Sequence, residues 1–249
     1  MSVGSLEMSV DEKYLQAVMR TLSHDMGSSL RAASGFSKLL IEQYGDSLDE
    51  KALNWLALIR SEGEIAQKRL KVFSQYAKLH GVDGLSDTCD LALACQRAQT
   101  EVGLKQLLAN HPDFSLSVSA LSDVKGNAEM WQLYFSLIIS NAAKYARAGE
   151  PVTCSVFTEN KPAFNGDAAQ VSLVIEDDGV GLSMDHITKA LQPYRTLNAP
   201  QEGDDVSSLS MGMGLSLAKR IVDMHEGVFV VCARPDGRSG LRVEARLPL

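Results

Sequence analysis

With 249 residues, 45% of them hydrophobic, the chain is long enough for one large domain or two modest ones with buried cores. A formal charge of -7 and the lack of any basic run exclude a nucleic-acid groove, whose footprint is a concentrated basic surface, so no direct nucleic-acid binding is expected. No apolar run approaches the ~20 residues that span a bilayer, and MSVGSLEMSV at the N-terminus lacks the basic and apolar regions of a signal peptide.

Cys89, Cys95, Cys154 and Cys232 show no paired CxxC spacing, which predicts reduced, buried thiols and a cytoplasmic location for this segment. From about residue 11 to 44, Leu15, Met19, Leu22, Met26, Ser29, Ala33, Phe36 and Leu40 alternate steps of four and three, a heptad seam. With Leu22 and Met26 on that seam, His24 falls at the outermost heptad position and is expected to be exposed. The stretch LSHDMGSSLR, residues 22 to 31, is a poor helix former, since Gly27 alone costs roughly 1 kcal/mol relative to alanine; a hinge beside His24 is the expectation. After the turn Gly45-Asp46-Ser47, capped by Ser47 or Asp49, a second helix repeats the rhythm at Leu56, Ile59, Gly63, Ala66, Leu70, Phe73 and Ala77. Val18, Leu39, Leu53 and Leu58 widen these stripes beyond one helix pair. Pairing with a second copy would bury them, so residues 11 to 81 predict a homodimeric four-helix bundle.

At HGVDGLSDTCD, residues 80 to 90, two glycines and three aspartates break the pattern and mark a domain boundary, giving domains 1–82 and 83–249. The second half mixes elements: a helix at 91–109, strands at 114–118 and 122–126, a long helix from an Asn127 cap through Tyr145, and strands at 151–158 and 170–177. A helix near 213–225 and strands 228–233 and 241–247, joined at Pro235-Asp236-Gly237, complete it. This order predicts an α+β layer: one mixed sheet with helices on one face.

Three segments of that second half carry chemistry. In IEDDGVGL, residues 175 to 182, a buried Asp177 can accept a hydrogen bond from an exocyclic amine, while Gly179 and Gly181 let backbone approach the ring; alone, such a segment is a strand-ending turn. In MGMGLSLAKRIVDMHEG, residues 211 to 227, Gly212 and Gly214 open a helix whose free amides can face phosphate oxygens, with Leu215 following. The polar stretch 195 to 210 between them reads as a lid. Asn141, Lys144 and Tyr145, at i, i+3 and i+4, share one helix face, where an amide oxygen can ligate Mg²⁺, an ammonium can meet phosphates and a ring can lie against a base.

Asn-x-x-Lys-Tyr on a helix, DxGxG after a strand, a polar lid and then GxGLxL, in this order over residues 85 to 249, resemble the nucleotide-binding domain of the GHKL superfamily: histidine kinases, type II topoisomerase ATPase subunits, mismatch-repair ATPases and a heat-shock chaperone class. The resemblance implies a Bergerat-type α/β sandwich binding Mg-ATP under a lid, with Arg195 reaching the phosphates. In the superfamily's water-splitting members a glutamate four residues before the Asn is the general base; here that place is Leu137, which cannot activate water. Lys144 also matches the histidine kinase branch, although Leu137 stands where those kinases usually carry another Asn.

SHDMGSSLR resembles the histidine kinase H-box, with His24, Asp25, Met26 and Leu30 matching and Ser29 standing where proline is common. The resemblance implies autophosphorylation of His24, orientation or deprotonation by Asp25, and transfer to an aspartate of a response-regulator receiver domain. Ser28 holds the place where related kinases keep a Thr or Asn that orients water for phosphatase activity. The departures at Leu137, Ser29 and Ser216 keep a non-catalytic ATP-binding or phosphotransfer scaffold open as the alternative, with a GHKL ATPase or anti-sigma-type serine kinase behind it. His80, His111, His186 and His225 lack an acid-apolar helical context and receive no role.

Overall fold

A computed structural model describes residues 10–78, 85, 87–147, 149–161, 169–191 and 213–248. The described residues divide into two compact units, one of residues 10–78 and one of the described residues from 85 to 248.

The first unit is an antiparallel hairpin of α1 (Val10–Tyr44) and α2 (Glu50–Lys78), joined by a 3₁₀ turn at Gly45–Ser47. Asp49 is the residue that caps α2, its Oδ1 accepting from the Ala52 N–H at 2.7 Å. On α1 the face that meets α2 differs from the expected seam, whereas on α2 the seam positions Leu56, Gly63, Ala66 and Leu70 are buried or half-buried. Gly27, Ser34 and Ser37 are buried and Leu30 and Ile41 half-buried, while Met26, Ala33, Phe36, Leu40 and, on α2, Ile59 are exposed. The cause is close approach through small residues: a Cβ on the buried Gly63 would collide with the Ser34 hydroxyl, which also accepts from Gln67 Nε2. The apolar positions therefore point out of the single hairpin rather than into it. Leu15, Met19, Leu22, Phe73 and Ala77 lie outside the residues whose side chains are described. α1 runs unbroken through Gly27 and Ser29, and the Ser29 hydroxyl donates to the Asp25 carbonyl one turn back, a bond that bends helices slightly without breaking them.

The second unit is α+β. Its elements are β1 (Thr88–Cys89), α3 (Leu91–Thr100), α4 (Val102–Ala109), β2 (Phe114–Val118), β3 (Val124–Lys125), α5 (Ala128–Lys144), β4 (Val152–Lys161), β5 (Gln170–Asp177), α6 (Met184–Ala190), α7 (Gly214–Met224), β6 (Val228–Ala233) and β7 (Leu241–Pro248). The main sheet runs β2-β4-β5-β7-β6, parallel between β2 and β4 and antiparallel elsewhere. Alternation along the strands puts Val171, Leu173, Ile175, Val243, Ala245 and Leu247 on the face that meets α5, where Tyr134 packs edge-on against Phe229. The opposite face carries Glu159, Glu176, Arg242, Glu244 and Arg246 in a lattice of ion pairs.

Three expectations shift. The single helix at 91–109 is two, broken at Glu101, whose backbone is extended (φ -62°, ψ 131°) and whose carboxylate accepts from Ser136 on α5 at 2.8 Å; β-branched Thr100 and Val102 with Gly103 make this a weak stretch of helix. The strand near 122–126 shrinks to two residues, paired antiparallel with Thr88–Cys89, so part of the boundary segment is itself a strand. α6 was not anticipated.

His225 fastens the two long helices together. It is buried; its Nδ1–H donates to the Ile221 carbonyl at 2.7 Å, Nε2 accepts from the Asn127 N–H at the start of α5 at 3.2 Å, and its ring lies against Trp131. A Cβ on Gly126, which sits at φ 149°, would strike both rings. Burial pushes the His225 pKa down, its bond to Ile221 opposing this. The native state therefore holds a neutral imidazole that the unfolded chain protonates near pH 6.5. Stability is full above that pH and is lost as pH falls from 6.5 toward the native value, by up to about 1.4 kcal/mol per pH unit. Urea midpoints at pH 7.5 and 5.5 measure the difference, which shrinks in His225→Gln.

Candidate functional site

A solvent-open pocket lies between α5, α7, β7 and the loop after β5. Apolar walls come from Ile138, Ala142, Leu182, Leu215, Leu241 and Val243, and polar groups from Asn141, Tyr145 and Asp177. A flat aromatic ring with polar edges fits such a lining.

α5 reaches the pocket because Asn127 caps it at one end, accepting from the N–H groups of Glu129 and Met130, while Trp131, Tyr134, Phe135, Ile138 and Ile139 bury its inner face. Its last turn delivers Asn141 and then Tyr145, the C-cap residue. Lys144 is half-buried and is not among the lining residues.

β5 ends at Asp177, whose Oδ1 accepts from the Gly179 N–H at 2.9 Å. Burial pushes its pKa up; the bonds from Gly179 and from the Leu241 N–H pull the other way, the Asp178 charge adds to the rise and Arg234 opposes it. Both glycines are required here by the protein's own backbone. A Cβ on Gly179 would lie 2.6 Å from the Tyr145 carbonyl oxygen, and Gly181, at φ 70°, would bring one within 2.8 Å of the Gly240 oxygen. The loop thus presses against protein backbone on both sides, and the Val180 N–H donates to the Tyr145 carbonyl at 3.1 Å.

Around this loop stand residues that sequence reasoning missed. The Ser239 hydroxyl donates to the Gly179 carbonyl at 2.9 Å, Arg147 Nη2 donates to the same carbonyl at 3.3 Å, and Arg234 Nη1 donates to the Asp177 carbonyl at 3.4 Å. Arg234 is itself held by Asp236 at 2.6 Å. The Pro235-Asp236-Gly237 turn was legible only as a hairpin turn; its aim at residues 177 to 180 comes from sheet order, which no local pattern encodes.

α7 begins at Gly214, and among the described residues no side chain caps it. Gly214 lies against Asn141, a Cβ there meeting Nδ2 at 3.0 Å, and Leu215 follows into the lining. The Ser216 hydroxyl turns inward to the Met213 carbonyl. Arg195, Gly212 and the stretch 195–210 lie outside the described residues.

Cys154 is directly opposite Asp177 in the sheet and fully buried, and burial raises its thiol pKa far above the usual range; Cys89 and Cys95 are likewise buried and raised by burial, while Cys232 is half-buried. These thiols are packing groups.

On the hairpin, His24 is exposed, with 80% of its side-chain surface open, and Nδ1 lies 3.0 Å from Asp25 Oδ1. Nε2 has no hydrogen-bond partner among the described residues. Ser28, one turn on, is also exposed.

Comparison with known proteins bears on both units. A family model described as histidine kinase-, DNA gyrase B- and HSP90-like ATPase matches residues 126–249. The cell-division control histidine kinase PdhS of Brucella ovis is 25% identical over 224 residues, 86% of this chain. The chain spans only 21% of that relative's length. Among solved structures, full-length ShkA in complex with AMPPNP has a TM-score of 0.59 at 15% identity, covering 94% of this chain and 46% of that one. The histidine kinase AdeS of Acinetobacter baumannii gives 0.53 at 14%, covering 88% and 96%. Residues 126–249 thus match the histidine kinase-, DNA gyrase B- and HSP90-like ATPases, and together with the histidine kinase relatives this supports a sensor histidine kinase catalytic core.

Proposed function

We propose that the chain autophosphorylates His24 from ATP and passes the phosphoryl group to an aspartate of a response-regulator receiver domain. The observation that carries this is the exposed His24 with Asp25 on Nδ1, in a chain that also holds the ATPase pocket. With its proton on Nδ1 and donated to Asp25, the imidazole offers the Nε2 lone pair. An N–P bond forms there as the bond from the γ-phosphorus to the bridging oxygen of ADP breaks, and the Nδ1 proton passes to Asp25. On transfer a receiver carboxylate oxygen takes the phosphorus, the N–P bond breaks and the proton returns.

In the pocket, Asp177 accepts from the exocyclic amine of adenine, Tyr145 and Leu215 flank the ring, and the amides opening α7 with Lys144, Arg195 and Gly212 meet the phosphates. No group of three His, Cys, Asp or Glu side chains among the described residues can hold a metal alone. A site of one protein oxygen, the Asn141 amide, completed by phosphates and water fits Mg²⁺. The ion, when bound, offsets phosphate charge. Residues 1–82 act as the dimerisation and phosphotransfer domain and 83–249 as the ATP-binding domain. A second hairpin covers the exposed Met26, Phe36, Leu40 and Ile59 in a four-helix bundle. Among the described residues no helix is long and apolar enough to cross a membrane, and we assign this segment to the cytoplasm.

Incubation with γ-labelled ATP and Mg²⁺ is expected to give acid-labile label that His24→Ala abolishes; label persisting in that variant would sink the assignment. ATP binding without any phosphohistidine would instead select the scaffold reading. The Ser28 hydroxyl orients water for dephosphorylation of the regulator, an activity that Ser28→Ala is expected to lower without touching autophosphorylation.

A further inference from the structure

α1 carries a cation whose position the fold does not otherwise use. Arg31 is exposed and, among the described residues, forms no hydrogen bond or ion pair. The positions three and four away on the helix are Gly27, Ser28, Ser34 and Gly35, so no carboxylate on α1 stands at pairing distance. Yet the guanidinium is not extended into solvent. It folds back along the helix over Gly27, where an added Cβ would lie 3.3 Å from Nη1. Gly27 is buried although His24, Asp25, Met26, Ser28 and Ser29 around it are exposed. The guanidinium thus takes up the space beside the place a side chain at position 27 would occupy, one turn closer to His24 than its own Cα.

His24 and Arg31 are seven residues apart, two turns along the same face, and Gly27 lies roughly 4.5 Å along the axis from His24. Residues 24 to 31 therefore present an imidazole, a hydroxyl at Ser28 and a planar guanidinium in one row. Asp25, the other charge in the row, repels an arriving phosphoryl group. Arginine opposes this well, because its fork of N–H donors can hold two phosphoryl oxygens at once and stays protonated throughout.

We propose that Arg31 is the residue that grips the phosphoryl group on His24, as the N–P bond forms and until the receiver carboxylate breaks it. Arg31 neither gives nor takes a proton in either step. The small size of Gly27 is then explained: any larger residue there would drive the guanidinium away. This inference rests on His24 being the phosphoacceptor.

The test uses the full chain with γ-labelled ATP and Mg²⁺. Arg31→Gln is expected to slow phosphohistidine formation at least tenfold. Arg31→Lys, which keeps the charge and loses the fork, should retain severalfold more activity than Arg31→Gln. ATP affinity and the thermal melt should be unchanged in both, since the side chain is exposed and, among the described residues, unpaired. Wild-type rates in Arg31→Gln, or equal losses in the Gln and Lys variants, overturn the proposal while leaving His24 as acceptor. Absence of phosphohistidine in the unsubstituted chain overturns both readings and is seen before any variant is made.

Discussion

Asp177→Asn is expected to weaken ATP binding at least about 30-fold, equivalent to ~2 kcal/mol for the loss of a charged acceptor. Asp177 is one of three polar side chains, with Asn141 and Tyr145, in a mostly apolar lining, and its carboxylate accepts from Gly179 and Leu241. An amide in its place turns one acceptor into a donor among donors. Titration with ATP measures the loss, and the melting temperature should change far less than the affinity. The pH dependence follows from the sign of the shift. Burial raises the Asp177 pKa, so the folded protein holds this proton at pH values where a free aspartate has lost it. A ligand amine favours the ionised form, so affinity rises as pH climbs through the raised pKa and falls below it. Affinity that is flat across acid pH in the wild type would remove Asp177 as the amine acceptor.

The second large effect concerns stability. Arg242 is 12% exposed and holds Glu176 at 2.6 Å, Glu159 at 3.1 Å and Glu244 at 3.8 Å, with its guanidinium over the Phe157 ring. Burial opposes its charge, but the three carboxylates outweigh this and its pKa is raised. Removing it strands Glu176, whose side chain is only 13% exposed, while Glu244 keeps its pair with Arg246. Breaking such a pair costs about 3–5 kcal/mol, so Arg242→Ala is expected to lower the melting temperature by roughly 10 °C. Glu176→Gln added to Arg242→Ala should recover part of the loss, because the stranded charge and not the missing contact is the larger penalty. Additive losses in the double variant would show the two residues to be uncoupled.

Local chemistry made much of this architecture legible. Asn127 and Asp49 announced their helices because a capping side chain acts within three residues, and β2 and β5 announced themselves by apolar pattern and flanking turns. The hairpin face was misread because several three-four stripes coexist on α1, and hydrophobicity alone selects the largest side chains. On α1 the contact instead falls at Ser34, opposite Gly63 of the expected α2 stripe, so the face is chosen by the partner helix and not by side-chain size. At the site, the structure brings Asn141, Tyr145, Asp177, Gly181 and Leu215 to one pocket lining, from segments whose motifs could be read singly. Ser239 and Arg234 were invisible because their bonds to residues 177 to 180 arise from β7 lying beside β5, a pairing across about 65 residues of chain.

That pairing has a consequence for the order of events in the cell. β7 is the last strand described, yet it sits inside the sheet between β5 and β6, and it supplies both Leu241 and Val243 to the lining and the Leu241 N–H to Asp177. During synthesis the hairpin with His24 is complete long before residues 241 to 248 leave the ribosome. Until they do, there is no closed wall against which a nucleotide can lie. A growing chain therefore completes its hairpin while the pocket still lacks its β7 wall, and the pocket is finished as a late, single step.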